Sequence, residues 1–346
     1  MKKYLFVFLL VLCIFVVGCG KNSTENIKGD FIAKINGTKA YQLNGKLEVV
    51  NNDDVFNYDV GVSFKDKDYY RVSLKNIANN HEQIILRNDD GVYVVTPSLN
   101  KSFKFQSDWP YNNSQAYLLK SIASDMQNDN EAETVENNDN YTITSKVNFP
   151  NNPSLVKQRV TLDKDLNMEK VEVLNKDGIS LMTFTVSSVN YKPNYDESYF
   201  EINSIINNSE QDDRNNNTNN NSNNNQKNSE TASTIDDIIY PLYIPTGTVL
   251  TGEEKVSKTG GERVILTFGG EKPFTLVEET TNKEEEFTVV PTYGEPFLLI
   301  DTVAALSNNS INWVSNGIEY YIVSDVLNQN ELIEVAKSVN VISVLK

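Results

Sequence analysis

The chain has 346 residues, with 47 acidic against 31 basic side chains and a single histidine, giving a formal net charge of −16. So acidic a chain, with no basic stripe, is excluded as a nucleic-acid binder and is not drawn electrostatically to anionic lipid heads. Its length is long for one domain and suits two.

The first nineteen residues hold both cysteines, Cys13 and Cys19. Lys2 and Lys3 give a positive start, and Tyr4 to Val17 is almost unbroken apolar sequence. That run is shorter than the roughly 20 residues of a membrane-spanning helix, and it ends in small residues, as signal peptides do. Val16, Val17, Gly18 and Cys19 resemble a bacterial lipobox, where a diacylglycerol joins the cysteine thiol and cleavage leaves that cysteine first. Residues 1–18 are therefore expected to be a lipoprotein signal peptide. Cys19 is expected to carry the lipid that holds the protein on the extracytoplasmic face of the cell membrane. The alternative is an ordinary signal peptide, or an N-terminal anchor that happens to contain a cysteine. With Cys13 removed and Cys19 acylated, no thiol remains for a disulfide, a thiolate metal site or a cysteine nucleophile. Residues 19–28, ending GKNSTENIK, read as a tether.

Residues 29–202 read as mostly strand. Leu43, Leu47 and Val49 share one face, with Lys46 and Glu48 on the other. Tyr58, Val60, Val62 and Phe64 alternate with Asp59, Gly61 and Ser63, and Tyr70, Val72 and Leu74 repeat the pattern. A period of two marks strands with one covered and one wet face. NNDD (51–54), KDKD (65–68) and NDDG (88–91) separate them, and DKDLN (163–167) and NKDG (175–178) supply later hairpin turns. One segment differs: Ser114 to Met126 places Tyr117, Leu118, Ser121, Ile122 and Asp125 at helical spacing, with Ser114 as cap.

The stretch EQIILRNDDGVYVVTPSLNKSFKFQSDWPYNNSQAYLLKSIASD (82–125), with its Val94, Thr96, Pro97 element, resembles the LolA-like lipoproteins of Gram-positive bacteria. So does the close, VTLDKDLNMEKVEVLNKDGISLMTFTVSSVNY followed by DESYFEI with Phe200. The resemblance covers nearly all of residues 30–202 and rests on the order and spacing of elements. It implies a curved, unclosed antiparallel β half-barrel whose concave face is covered by helices and leaves an apolar cavity. In founding members that cavity carries acyl chains of lipoproteins. The Gram-positive branch is commonly lipid-anchored and often linked to spore formation or germination. Tyr58, Val60, Phe64, Tyr70, Tyr117, Leu118 and Ile122 are the candidate cavity residues. Their other reading is sheet core, and both stand at this point.

From residue 203 to 234 the chain is dominated by Asn and has no large apolar residue after Ile206, so a flexible linker is expected. Residues 235–346 then form a small α+β domain. VLTGEEKVSK, the turn TGGE and RVILTF suggest a hairpin, followed by PFTLVEET and EEFTVVPT. Asn316-Gly317, inside SINWVSNGIEYYIVSD, is a strong hairpin signal. NQNELIEVAKSV supplies a helix with an Asn328/Glu331 capping pair and a stripe of Leu332, Ile333, Ala336 and Val339. This run resembles a small domain at the C-terminus of many Gram-positive envelope proteins. A LolA-like unit followed by such a domain also resembles the RseB/MucB architecture, which senses envelope lipids and restrains an anti-sigma factor.

Few residues form a pattern that carries chemistry. His81 reads as a solvated loop residue, and one histidine without cysteines argues against zinc. FGGEKPF (268–274) lacks the ending of a phosphate loop. Glu284–Glu286 read as a solvated turn, and the Asp53–Asp54, Asp89–Asp90 and Asp236–Asp237 pairs lack calcium-loop spacing. No metal, cofactor or catalytic constellation is implied. The expectation is a membrane-anchored, non-enzymatic protein that binds a hydrophobic ligand, a lipid or acyl chain, in a curved sheet. The alternative is an adaptor or regulator of an envelope, sporulation or germination protein without lipid cargo.

Overall fold

The computed structural model describes residues 24–51, 54–206 and 234–339. The signal peptide, Cys19 and the Asn-rich stretch from 207 to 233 lie outside the described residues.

Helix α1 (Thr24–Gly37) opens the description and revises the expected tether, which it overlaps from residue 24. Ile27, Phe31 and Ile35 recur every fourth residue, so they form one stripe, and all three are buried. Ile27 reads as a lone apolar residue in a polar stretch because its two partners lie beyond position 28.

An antiparallel meander follows: β1 (Ala40–Asn51), β2 (Asp54–Lys65), β3 (Tyr69–Asn76), β4 (Glu82–Asn88), β5 (Gly91–Thr96) and β6 (Lys101–Phe105). After α2 (Leu119–Asn128) it resumes with β7 (Glu133–Glu136), β8 (Asn140–Lys146), β9 (Leu155–Asp163), β10 (Met168–Asn175) and β11 (Ser180–Asn190). The spatial order is β6-β5-β4-β3-β2-β1-β11-β10-β9-β8-β7, with β1 holding the two halves together. The expected turns at 65–68, 163–167 and 175–178 close hairpins, and the centre of NNDD (52–53) lies outside the described residues. Lys67 and Asp68 take φ of 76° and 62°, Leu166 takes 58° and Gly178 takes 78°. Gly45 is required by close approach: a Cβ there would fall 2.5 Å from the Thr185 carbonyl oxygen and 2.6 Å from the Phe184 ring. The β1–β11 register shifts at that point.

The sheet does not close into a barrel. Val94 and Phe105 from one end and Ile143 and Val160 from the other meet in a single core, so the sheet wraps round its apolar face. Ile27, Phe31 and Ile35 of α1 and Leu119, Ile122, Ala123 and Met126 of α2 cover that face. The helix predicted from Ser114 begins later, after Leu118. Ser114 is not its cap, because its hydroxyl and amide pair with Asn148 instead. On the outer face Phe200 and Ile205 pack on Ile84, Leu86, Tyr93 and Val95, and helical backbone at 202–206 extends the described chain past residue 203.

The second sheet uses β12 (Thr248–Lys258), β13 (Gly261–Gly270) and β14 (Phe274–Thr280), then, past β15 (Thr288–Thr292), β16 (Glu295–Leu298), β17 (Val303–Leu306), β18 (Ser310–Ser315) and β19 (Ile318–Val323). Its order is β12-β13-β14-β19-β18-β17-β16. Asn316 and Gly317, with φ of 50° and 80°, make the expected turn. Helix α3 (Gln329–Val339) packs Leu332, Ile333, Val335, Ala336 and Val339 into this core. Its capping box closes reciprocally: the Asn328 amide donates to Glu331 Oε2 (3.2 Å) and the Glu331 amide to Asn328 Oδ1 (3.0 Å). Strand β15 departs from its neighbours. It leaves the second sheet and pairs in parallel with β6, at the edge of the first.

Glu278 of β14 is fully buried in the second core. Its Oε1 accepts the Ile239 amide at 3.0 Å, and its Oε2 has no hydrogen-bond partner. Burial pushes the carboxyl up to about 7 from an ordinary 4.5, and the charge of Glu253 acts in the same direction. Between those two values the folded chain retains a proton that the unfolded chain has lost, so stability falls as pH rises through that window. Glu278→Gln should therefore be more stable than wild type by about 1–3 kcal/mol near pH 8 and no different near pH 4, as read from urea denaturation.

Candidate functional site

An apolar cleft of about 90 Å³ opens at the end of the half-barrel away from Tyr41 and α1. The tip of the β1–β2 hairpin supplies Leu47, Val49, Val50 and Asn51. Met182 of β11, the cross-strand partner of Val49, and Leu181 continue that wall, and Leu155 of β9, Trp109, Tyr117 and Phe149 also line the cleft. Pro296, Phe297, Leu298 and Leu299 close it from the second sheet. The polar lining is mainly amide: Asn51, Asn113, Gln115, Asn151 and Asn152, with Ser114. Among the described residues Lys337 is the one charged residue lining it. An apolar pocket with a few polar groups at its rim is the usual form of a small-molecule site.

Two short segments set the shape of the rim. The Ser114 amide donates to the Asn148 carbonyl (2.7 Å), and the Asn148 amide donates back to Ser114 Oγ (2.8 Å). The Gln115 amide donates to Ser121 Oγ (2.9 Å), which ties the same loop to α2. Burial pushes the nearby Asp125 carboxyl up to about 6, with the Ser114 hydroxyl pulling the other way.

The seven candidate cavity residues all point into the first core, and all are buried. Of these, only Tyr117 lines the cleft. Phe64 stacks on Tyr41 (5.1 Å between centroids) and touches Tyr70 (5.0 Å), which meets Trp109 edge-on (5.8 Å). Val60, Leu118 and Ile122 fill the space between sheet and helices. Leu47 and Val49 carried the alternation signal for a buried face, but nothing in it separates the filled end of the half-barrel from the open one. Residues 296–299 carried no local signal at all.

Tyr58 has a different part. Its hydroxyl donates to the Ile300 carbonyl of the second sheet. Nearby, Gln83, a buried amide in the apolar strand β4, makes three hydrogen bonds to the second sheet. Its Oε1 accepts from the Val303 amide (2.6 Å) and the Thr302 hydroxyl (2.9 Å), and its Nε2 donates to the Val303 carbonyl (3.2 Å). Asn76 Nδ2 donates to the Asp301 carbonyl at 3.4 Å. His81, expected in a solvated loop, is only 8% exposed. It shares a small pocket with Asp301 and Ser315 of the second sheet, a long-range proximity that loop composition does not encode. Burial raises the Asp301 carboxyl, opposed by a hydrogen bond from Ser315 Oγ at 2.6 Å. Among the described residues no group of three His, Cys, Asp or Glu is placed to hold a metal ion, and no helix is long and apolar enough to cross a membrane.

No protein-family model matches the chain. It is 33% identical over 347 residues to the sporulation protein YdcC of Bacillus subtilis (strain 168), covering 98% of each chain. Among solved structures it is similar to the MucA/MucB complex of Pseudomonas aeruginosa, at 14% identity and a TM-score of 0.32 over 91% of this chain and 98% of that one. It is also similar to the LolA superfamily protein NE2245 of Nitrosomonas europaea, at 12% identity and a TM-score of 0.29 over 50% of this chain and 96% of that one.

The Ser114–Asn148 pair is reciprocal and half-buried, so removing the hydroxyl leaves the Asn148 amide without its acceptor. Ser114→Ala should cost about 1–2 kcal/mol in urea denaturation.

Proposed function

This chain belongs to the family of the sporulation protein YdcC, and from that premise we propose that it is a lipid-anchored binding protein of the cell envelope that takes an acyl chain into its cleft. The observation that carries this reading is the cleft itself, apolar and amide-lined, with no carboxylate among the described residues that line it. An acyl chain gains from leaving water in proportion to the area covered, and the amides can satisfy an uncharged head group. No step of bond making or breaking is assigned to any residue. Lipidation of Cys19 would place the cleft on the outer side of the membrane, where a tethered protein acts as receptor or acceptor rather than as a shuttle.

A second reading has its own observation. Tyr58, Phe64, Tyr70 and Ile122 are packed by neighbouring side chains, so most of the concave face is already filled from within. That favours an adaptor that docks on an envelope or sporulation protein and carries no lipid.

Native mass spectrometry of the chain carrying Cys19→Ala separates the two. Co-purified or added palmitate should appear as a bound mass, and Leu155→Trp, which fills the cleft, should weaken that binding at least about tenfold. A chain that stays empty with palmitate present, and that crosslinks in cells to one protein, would replace the lipid reading with the adaptor.

A further inference from the structure

One wall of the cleft does not belong to the half-barrel. Residues 296–305 run from the cleft into the seam between the two sheets, and their side chains divide between the two cores. Leu298, Val303 and Ala305 pack with the first, whereas Leu299, Ile300 and Ala304 pack with the second. The strip is held to the half-barrel by directional bonds from Gln83 and Tyr58, and neither of these residues lines the cleft. Gln83 is 4% exposed on a strand whose next three residues are Ile84, Ile85 and Leu86. An amide buried there is costly without partners, and residues 302 and 303 supply all of its partners. The half-barrel is thus built to receive this strip.

The volumes conflict with a long ligand. The cleft offers about 90 Å³, room for the end of an alkyl chain and less than the roughly 150 Å³ of an engineered cavity that holds benzene. It accepts a few methylenes, and a longer chain meets Leu298 and Leu299.

We propose that residues 296–303 are a displaceable stopper, so that uptake of a long acyl chain and docking of the second sheet compete for the same apolar surface. This rests on the acyl-chain reading above and adds its regulation. Because the two events are linked, whatever loosens the strip strengthens long-chain binding, and a bound long chain loosens the strip by the same factor. Short chains fit beneath the strip and are indifferent to it.

The test uses the full chain with hexanoate and palmitate as probes, their affinities read by native mass spectrometry. Exchange of the Val303 amide hydrogen is followed in parallel. Gln83→Ala should raise palmitate affinity about tenfold, the loss of hydrogen bonds worth roughly one order in the docking equilibrium, and leave hexanoate within about twofold. Palmitate should speed Val303 exchange in the wild type, and hexanoate should not. Tyr58→Phe removes one hydroxyl without a cavity and should shift the palmitate-to-hexanoate ratio in the same direction, which guards against a misfolded Gln83 variant. If both probes bind but neither variant changes their ratio and palmitate leaves Val303 exchange unchanged, the stopper is refuted and the acyl-chain reading stands. If neither probe binds wild type or variants, both fall together.

Discussion

An unclosed sheet has an apolar inner face that no strand of its own can cover. Two helices and a strip of the second sheet answer that requirement. Burying such a face is worth about 25 cal/mol for each Å² of apolar surface, so helices and chain segments that cover it are held firmly. Helices α1 and α2 cover one end with Ile27, Phe31, Ile35, Ile122 and Met126. The other end is covered from 200 residues further along the sequence, by Leu298, Val303 and Ala305. The cleft is what remains between the two covers.

The two covers are held differently. The helices combine apolar area with hydrogen bonds at their margins, from Lys28 to the Asp129 carbonyl, Lys34 to the Leu166 carbonyl and Lys120 to the Ile35 carbonyl. The strip relies on a buried glutamine and a buried tyrosine hydroxyl, whose bonds are directional and leave costly orphans when broken. Glu278 in the second core shows the contrasting case, a buried acid with one oxygen unpartnered. Gln83 makes three bonds to residues 302 and 303 and specifies one docked arrangement, whereas Glu278 only weakens its surroundings as it ionises.

Much of this was legible in the sequence, and the boundary between legible and hidden follows range. Alternation in β1 to β3, the Asn316-Gly317 turn and the Asn328/Glu331 cap are set by residues within a few positions of one another, and the structure has them. Helix α1 was hidden because its stripe straddles a change in composition. Ser114 read as a cap because the serine-before-helix pattern is local, while its actual partner, Asn148, is 34 residues away. The burial of His81, the purpose of Tyr58 and the whole of the Gln83 contact depend on residues more than 200 positions distant. No periodicity reports such a pairing. The candidate site was legible as a face and hidden as a place, because the closing wall comes from the other end of the chain.

Strand β15 changes what the Asn-rich stretch means. That stretch looks like a place to cut, with one folded piece on each side. Yet the second piece sends β15 back to lie along β6, and the Glu284 and Thr288 amides donate to the Leu99 and Asn100 carbonyls beside it. A fragment ending in the Asn-rich stretch would show solvent a bare strand edge and an apolar mouth, the two features by which strands of separate molecules find each other. Expressed apart, the halves become surfaces for self-association, and the long polar connection serves to keep the two parts of one closed surface in the same molecule.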